Sequence, residues 1–313
     1  MNRAVAVTGA TGFIGTHLVD RLLQDGWSVR ALVRRASPSL VARGAGTVVG
    51  DLEDEKVLTE LVAGVDAVVH CAGAVMAPRR AVFHAVNVEG TARLVAAVGA
   101  AERPPRFLLL SSLAAREPQL SDYAASKKLA EEVLVSRAAG DDWCIIRLPA
   151  VYGPGDRVTL TLFRQMARGF ICAPVGDDYR FSLLYVDDLA TAVSALVARA
   201  NGVRDKLELD DGQPGGYSWA NISDIAGGVL GRPIRRVPAR KSALWVPAVI
   251  DQSWARATGR RPTLTLGKLR ELFHRNWVSD KTPTGLFDGW APSIRFKEGF
   301  ARTFAWYEAR GML

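Results

Sequence analysis

Apolar residues run along this chain in two alternating rhythms. Short continuous blocks are followed by stretches in which apolar positions recur every three or four residues. Ala4-Val-Ala-Val7 is the first block, and Thr16-His-Leu-Val-Asp-Arg-Leu-Leu23 is the first stretch at helical spacing. Together they predict a strand, a tight turn and a helix. Further strands are expected at 27–35, 48–52, 66–73 and 105–112, with helices starting near Ala85 and at Tyr123. Strands that alternate with helices in this way predict a doubly wound parallel sheet with helices on both faces. Beyond about residue 150 the pattern predicts a smaller α/β lobe. Its helices are expected at 159–169 and 217–230, the second with Ser218 as cap and Gly231 as stop.

The first turn, Thr8-Gly-Ala-Thr-Gly-Phe-Ile-Gly15, has glycine at every third position. Gly9 permits a sharp departure from the strand. Gly12 lets backbone approach a diphosphate, and Gly15 lets the helix pack close to the sheet. A helix N-terminus there offers free N–H groups and a positive dipole end to phosphates. The turn therefore points to a dinucleotide, with Gly9, Thr11, Gly12, Phe13, Ile14 and Gly15 as contacts. The second strand ends in Arg34 and Arg35 with no acidic residue beside them. A carboxylate at this place binds a free ribose 2′-hydroxyl, whereas arginine suits a 2′-phosphate, so NADP(H) is favoured over NAD(H). Asp51 ends the third strand. The fourth ends in small residues, Ala72 and Gly73, which suit a ligand lying against backbone.

Composition narrows the class. The chain has 313 residues, 49% of them hydrophobic, enough for one large or two unequal domains. Three isolated cysteines form no metal pattern and no disulfide framework, which suggests a reducing, cytoplasmic setting. The chain leads straight from Met1 into a strand, so no leader peptide is expected. No apolar run approaches the length of a membrane span. The net charge of +8 fits attraction of anionic ligands, and the basic residues accompany no nucleic-acid-binding motif.

The chemistry concentrates between residues 111 and 127. The fifth strand ends in Ser111 and Ser112, and Tyr123-Ala-Ala-Ser-Lys127 opens the next helix. Tyr123 and Lys127, four apart, share a helix face. An ammonium near a phenol favours the phenolate. Ser112 could hold a substrate oxygen within reach of Tyr123. His70 has no triad or metal partner nearby in sequence and is read as structural; Asn87 is expected to tie backbone nearby.

These motifs, with Arg147-Leu-Pro-Ala-Val-Tyr-Gly-Pro154, Tyr185-Val-Asp-Asp-Leu-Ala190 and the tail from Gly289 to Tyr307, resemble the extended short-chain dehydrogenases/reductases. That group includes the NAD-dependent epimerase/dehydratase enzymes. The resemblance implies a Rossmann domain formed by 1–150 plus about 184–200. A substrate lobe would comprise about 151–183 and 201–313. It implies that Tyr123 is the acid/base, that Lys127 is its electrostatic partner and a ribose ligand, and that Ser112 orients the oxygen. It also implies cofactor contacts at Asp51, Leu52, Ala72, Gly73, Asn87, Ser111, Pro149 and Val151.

Departures from the family pattern sort the members. Leu113-Ala114 stands where 4,6-dehydratases carry an acid/base pair. Phe181 stands where nucleotide-sugar epimerases usually carry an arginine, with Arg180 one place off. The approach Phe181-Ser-Leu-Leu-Tyr185 is more similar to the dihydroflavonol-reductase and hydroxysteroid-dehydrogenase branches. The leading expectation is an oxidoreductase that moves a hydride between nicotinamide and a carbonyl or secondary alcohol of a small, apolar or aromatic substrate. A nucleotide-sugar epimerase with retained NAD and a non-catalytic dinucleotide-binding scaffold are the alternatives. Homodimerisation through two helices of the first domain is carried over from relatives. Trp245 and Trp254 lie in a segment with Arg235, Arg236, Arg256, Arg260 and Arg261. That segment reads equally as a cover over an apolar substrate and as core packing of the small lobe, and its arginines as holding a phosphate or carboxylate.

Overall fold

The computed structural model describes residues 3–138, 140, 142–174, 176, 178–200, 202–280 and 290–313. Met1 and Gly289, which entered the sequence reading, lie outside them. The first half runs β1 (Ala4–Thr8), α1 (Phe13–Gln24), β2 (Ser28–Val33), α2 (Pro38–Ala42), β3 (Gly46–Val49), α3 (Glu55–Val62), β4 (Ala67–His70), α4 (Arg80–Phe83), α5 (Gly90–Gly99), β5 (Arg106–Ser112), α6 (Asp122–Arg137) and β6 (Trp143–Leu148). There follow β7 (Ala150–Tyr152), α7 (Leu160–Ala167), β8 (Phe170–Pro174), β9 (Arg180–Phe181), β10 (Leu183–Tyr185), α8 (Val186–Ala198), β11 (Arg204–Glu208), α9 (Trp219–Leu230), β12 (Arg235–Ala239), α10 (Lys241–Thr258), α11 (Leu266–Leu272), β13 (Asn276–Trp277) and α12 (Phe296–Glu308).

Seven strands form the central sheet in the order β11-β6-β5-β4-β1-β2-β3. The pairs joining β3, β2, β1, β4 and β5 are all parallel. From β1 the chain winds outward to β3, then crosses back to lay β4 on the other side of β1. The reversal puts a switch point between β1 and β4, where Thr8 stands in register with His70. Both strands are buried almost throughout, which is why they read as continuous apolar runs. The doubly wound sheet expected from the sequence is the fold observed.

The helix expected from Ala85 onward is not continuous. Residues 84–89 form a π-helical turn between α4 and α5. One more residue per turn is accommodated there, which brings both Asn87 and Thr91 into the interior.

The chain divides into two compact units. Unit 1 holds residues 3–147, Ala190–Leu207 and Trp290; unit 2 holds Leu148–Leu189, residues 208–280 and residues 291–313. The first turn of α8 stays with unit 2 because Asp188 accepts hydrogen bonds from Ser293 Oγ (2.7 Å) and the Ile294 amide (2.8 Å). The last turn belongs to unit 1. There the buried Arg106 donates to the carbonyls of Leu196 (2.7 Å) and Arg199 (2.9 Å), and pairs with Asp142. A cation on helix-terminal carbonyls is favourable.

Unit 2 has an aromatic core. Phe163 stacks on Phe300 at 5.0 Å, and Tyr152 meets Tyr185 edge-on at 5.6 Å. Ser218 and Asn221 close a capping box at the start of α9, and Gly231 (φ +65°) ends it, as the sequence indicated. Trp245 and Trp254 are not part of any core: on α10 they are 52% and 60% exposed. Their helix buries little more than Ala248 and Ala255, so core packing is overturned as their role.

The Tyr152 hydroxyl is buried with no hydrogen-bond partner among the described residues, and a Cβ on Gly299 would fall upon it. Gly299→Ala should therefore lower stability by about 1–3 kcal/mol through overpacking. Tyr152→Phe should raise stability by roughly 1 kcal/mol, since it removes an unsatisfied polar atom. The double variant should recover part of the Gly299→Ala loss. Urea unfolding of the four proteins checks this; an additive double variant would contradict it.

Candidate active site

The site begins where β1 ends. Gly9 has φ +72°, and a Cβ on it would stand 2.7 Å from the Ala72 amide nitrogen. Only glycine allows the ends of β1 and β4 to lie this close. The Gly12 amide donates to the Gly9 carbonyl at 3.0 Å, closing the turn. Gly12 is the N-cap of α1 and has no side chain to bond the amides of the first turn. A Cβ on Gly15 would fall on the Gly9 carbonyl, so its smallness serves the turn itself rather than helix-to-sheet packing. Thr11 and Gly12 are exposed, and Phe13 and Ile14 half-buried, at the mouth of this helix end.

Behind the turn runs a line of buried hydrogen bonds. The Ala72 amide donates to Thr8 Oγ1 (3.2 Å), and Thr8 Oγ1 lies 2.7 Å from His70 Nδ1. On the other side of the ring, Nε2 lies 3.0 Å from Thr91 Oγ1, which donates to the Asn87 carbonyl at 2.6 Å. Each hydroxyl has a single proton. Thr91 gives its proton to Asn87, so Nε2 carries a ring proton, and with the ring neutral in its buried place Nδ1 accepts from Thr8. His70 is thus a neutral, structural residue, as the sequence suggested. Burial, with Lys127 nearby, pushes its pKa down to about 3.

Asn87 serves the next loop. Its Oδ1 accepts from the Ala74 amide at 2.7 Å, and its Nδ2 donates to the Ala74 carbonyl (3.0 Å) and to Ser126 Oγ (2.8 Å). Ser126 Oγ in turn donates to the Tyr123 carbonyl at 2.7 Å. The amide of Asn87 is therefore spent inside the protein. Through these bonds it fixes the loop after β4 to the first turn of α6.

That turn carries Tyr123, half-buried with its ring 6.2 Å from Phe83. One turn on, the buried Lys127 sends Nζ to the Leu110 carbonyl at 2.6 Å. The same Nζ lies 3.8 Å from where a Gly73 Cβ would stand. Burial lowers the Lys127 pKa to about 8, against the opposing pull of Cys71 and Glu131. The Cys71 thiol is pushed up to about 12 by burial and stays protonated. Ser112, at the end of β5, accepts from the Ala114 amide at 3.1 Å and keeps its own proton to donate.

Ser111 is bound within the fold. Its hydroxyl donates to Glu131 at 2.6 Å, and Arg147 grips the same carboxylate through Nε (2.9 Å) and Nη2 (2.8 Å). Glu131 is wholly buried, so this paired charge fixes β5, α6 and β6 together and holds the Ser111 hydroxyl on its carboxylate. Glu131, Ser126, Thr8 and Thr91 were not singled out by sequence. Glu131 sits four residues after Lys127 on the inward face of α6, and that spacing was the available signal.

Arg34 and Arg35 follow β2 and are exposed, and Asp51 is exposed with its carboxylate bound to the Glu53 amide at 2.8 Å. Leu52 packs over Gly90. Ala72 and Gly73 lie at the β4 end already described. Pro149 and Val151 belong to unit 2.

Three features fit a nicotinamide dinucleotide: an uncapped helix start at the switch point, a side-chain-free Gly73, and a buried ammonium beside it. The comparisons agree. The family model described as NAD dependent epimerase/dehydratase family matches residues 5–207. The chain belongs to this family and is an NAD(P)-dependent oxidoreductase of the extended short-chain dehydrogenase/reductase type. It is 37% identical over 311 residues to a ceramide reductase of Caulobacter vibrioides, covering 99% of this chain and 96% of that one. It is 27% identical to a 2-alkyl-3-oxoalkanoate reductase of Stenotrophomonas maltophilia, covering 95% and 97%. The solved structure of MoeE5 in complex with UDP-glucose and NAD shares the fold, with a TM-score of 0.73, 23% identity and coverage of 98% and 99%.

A histidine held neutral in the fold but free to titrate when unfolded destabilises the fold as pH falls. Its contribution is present above the unfolded value of 6.5 and is lost on the way down toward about 3. Between pH 6.5 and 5 the native protein should lose up to about 1.4 kcal/mol per pH unit more than His70→Asn. Urea unfolding across that interval measures the difference. Equal slopes would mean that His70 is not held neutral.

Proposed function

We propose that the protein is an NADPH-dependent reductase of a ketone on a long-chain, apolar substrate. The observation that carries the reading is the set at the ends of β4, β5 and the start of α6. Ser112 has a hydroxyl proton to give, Tyr123 stands one turn ahead of Lys127, and Lys127 is buried beside Gly73. When bound, the nicotinamide supplies the hydride to the carbonyl carbon. Ser112 donates a hydrogen bond to the carbonyl oxygen and orients it. Tyr123 gives that oxygen its proton, and the Lys127 ammonium makes the phenol a better acid and holds a ribose hydroxyl. The Gly9–Gly15 turn takes the diphosphate, and Arg34 and Arg35 take the 2′-phosphate. Relatives named for a ceramide and for a 2-alkyl-3-oxoalkanoate support a substrate with alkyl chains.

The epimerase reading asks for an arginine gripping a diphosphate where this chain has Phe181. That ring packs on Trp219 at 4.8 Å, and the neighbouring Arg180 reaches Asn221 on the protein surface. Both observations favour the reductase.

NADPH consumption with a 3-oxo acyl lipid is the test. Tyr123→Phe should reduce turnover by roughly 10²-fold or more while NADPH binding survives. Replacing Arg34 and Arg35 by alanine should weaken NADPH by about tenfold, or 1.4 kcal/mol, and leave NADH unchanged. Because Lys127 titrates at about 8, NADPH affinity should fall as pH rises through that value. Tightly retained NAD, with UDP-sugar interconversion and no net cofactor use, would replace this reading with the epimerase.

A further inference from the structure

Residues 235–261 hold seven of the chain's basic residues (Arg235, Arg236, Arg240, Lys241, Arg256, Arg260, Arg261) and one acidic residue, Asp251. This short stretch carries +6 of a total net charge of +8. At its centre is α10, eighteen residues long. One side of that helix is covered. Asp251 accepts from the amides of Thr263 (2.6 Å) and Leu264 (2.7 Å) and pairs with Arg260, and Gln252 accepts from the Leu266 amide at 3.1 Å. Ala248 and Ala255 are buried on the same side.

The opposite side is open and apolar. Trp245 is 52% exposed, Val246 54%, Ile250 63% and Trp254 60%. At 100° per residue these four fall within one half-turn of the helix, with Ser242, Ala243, Val249, Ser253, Arg256 and Ala257 between them. No acidic side chain lies on that face, because the single carboxylate of α10 is folded to the covered side. Monomeric proteins rarely present two tryptophans and two large aliphatic residues together to water.

We propose that the outer face of α10 docks on an anionic lipid membrane. Tryptophan suits the boundary between headgroups and acyl chains, and the basic residues that flank and end α10 in the sequence suit anionic headgroups. No helix among the described residues is long and apolar enough to cross a membrane, so the contact lies in the plane of the interface. A second copy of this chain is the poorer occupant, because two copies of this +6 segment would bring like charges together. The proposal stands apart from the reductase reading, since vesicle binding needs no turnover.

The test is flotation of the full-length protein with vesicles of phosphatidylcholine alone or with about a third phosphatidylglycerol, with light scattering on the protein alone. The expected result is binding to the anionic vesicles, at least tenfold weaker to neutral ones and weakened by salt. Trp245→Ser combined with Ile250→Ser and Trp254→Ser should lower anionic binding at least tenfold. These side chains are exposed, so circular dichroism and NADPH affinity should match the parent. Replacing Arg235, Arg236 and Lys241 by glutamine should reduce the salt dependence. Three results would overturn the proposal: no flotation with anionic vesicles, equal flotation of the serine variant, or a dimer that the serine variant abolishes in a protein that does not float.

Discussion

Everything at the site depends on one close approach, the backbone of Gly9 against that of Ala72. Two parallel strands separated by three crossover connections end side by side, and the chain leaves both within a few residues. The approach exposes polar groups that cannot reach water. The Ala72 amide is taken up by Thr8, and the line continues through His70, Thr91 and Asn87 into the interior. A cationic imidazole would turn Nδ1 from acceptor into donor and cost the bond that Thr8 donates to it. The neutral histidine, the small residues after β4 and the glycine after β1 are thus one solution to one steric problem.

The buried charges obey a similar logic. Lys127 reaches the end of β5 from the inner face of α6, and Glu131, a turn further on, takes Ser111 and Arg147. Removing one partner of such a pair would strand the other in a dry interior, at a cost of about 3–5 kcal/mol. The ammonium therefore stands on a helix whose roll is fixed by its own neighbour.

Much of this was legible in the sequence. The strand blocks, the glycine turn, the capping pair Ser218 and Gly231 and the Tyr123–Lys127 spacing are local signals, and local chemistry sets them. What stayed hidden depends on contacts distant along the chain. The bonds of Asn87 to Ala74 and Ser126 span 13 and 39 residues, and no periodicity announces them. That the first turn of α8 belongs to unit 2 is set by Asp188 and Ser293, more than a hundred positions apart. The two tryptophans of α10 misled for a different reason: apolar spacing on a helix marks an apolar face without saying what that face meets.

The π-helical turn at residues 84–89 has a consequence for comparison with relatives. It inserts one residue into what would otherwise be a continuous helix from α4 into α5, so the later part is rotated by about 100° and advanced by about 1.5 Å. No single helical wheel describes residues 80–99. A relative whose helix is unbroken would align here only across a gap of one. On either side of that gap, the same numerical spacing points in different directions.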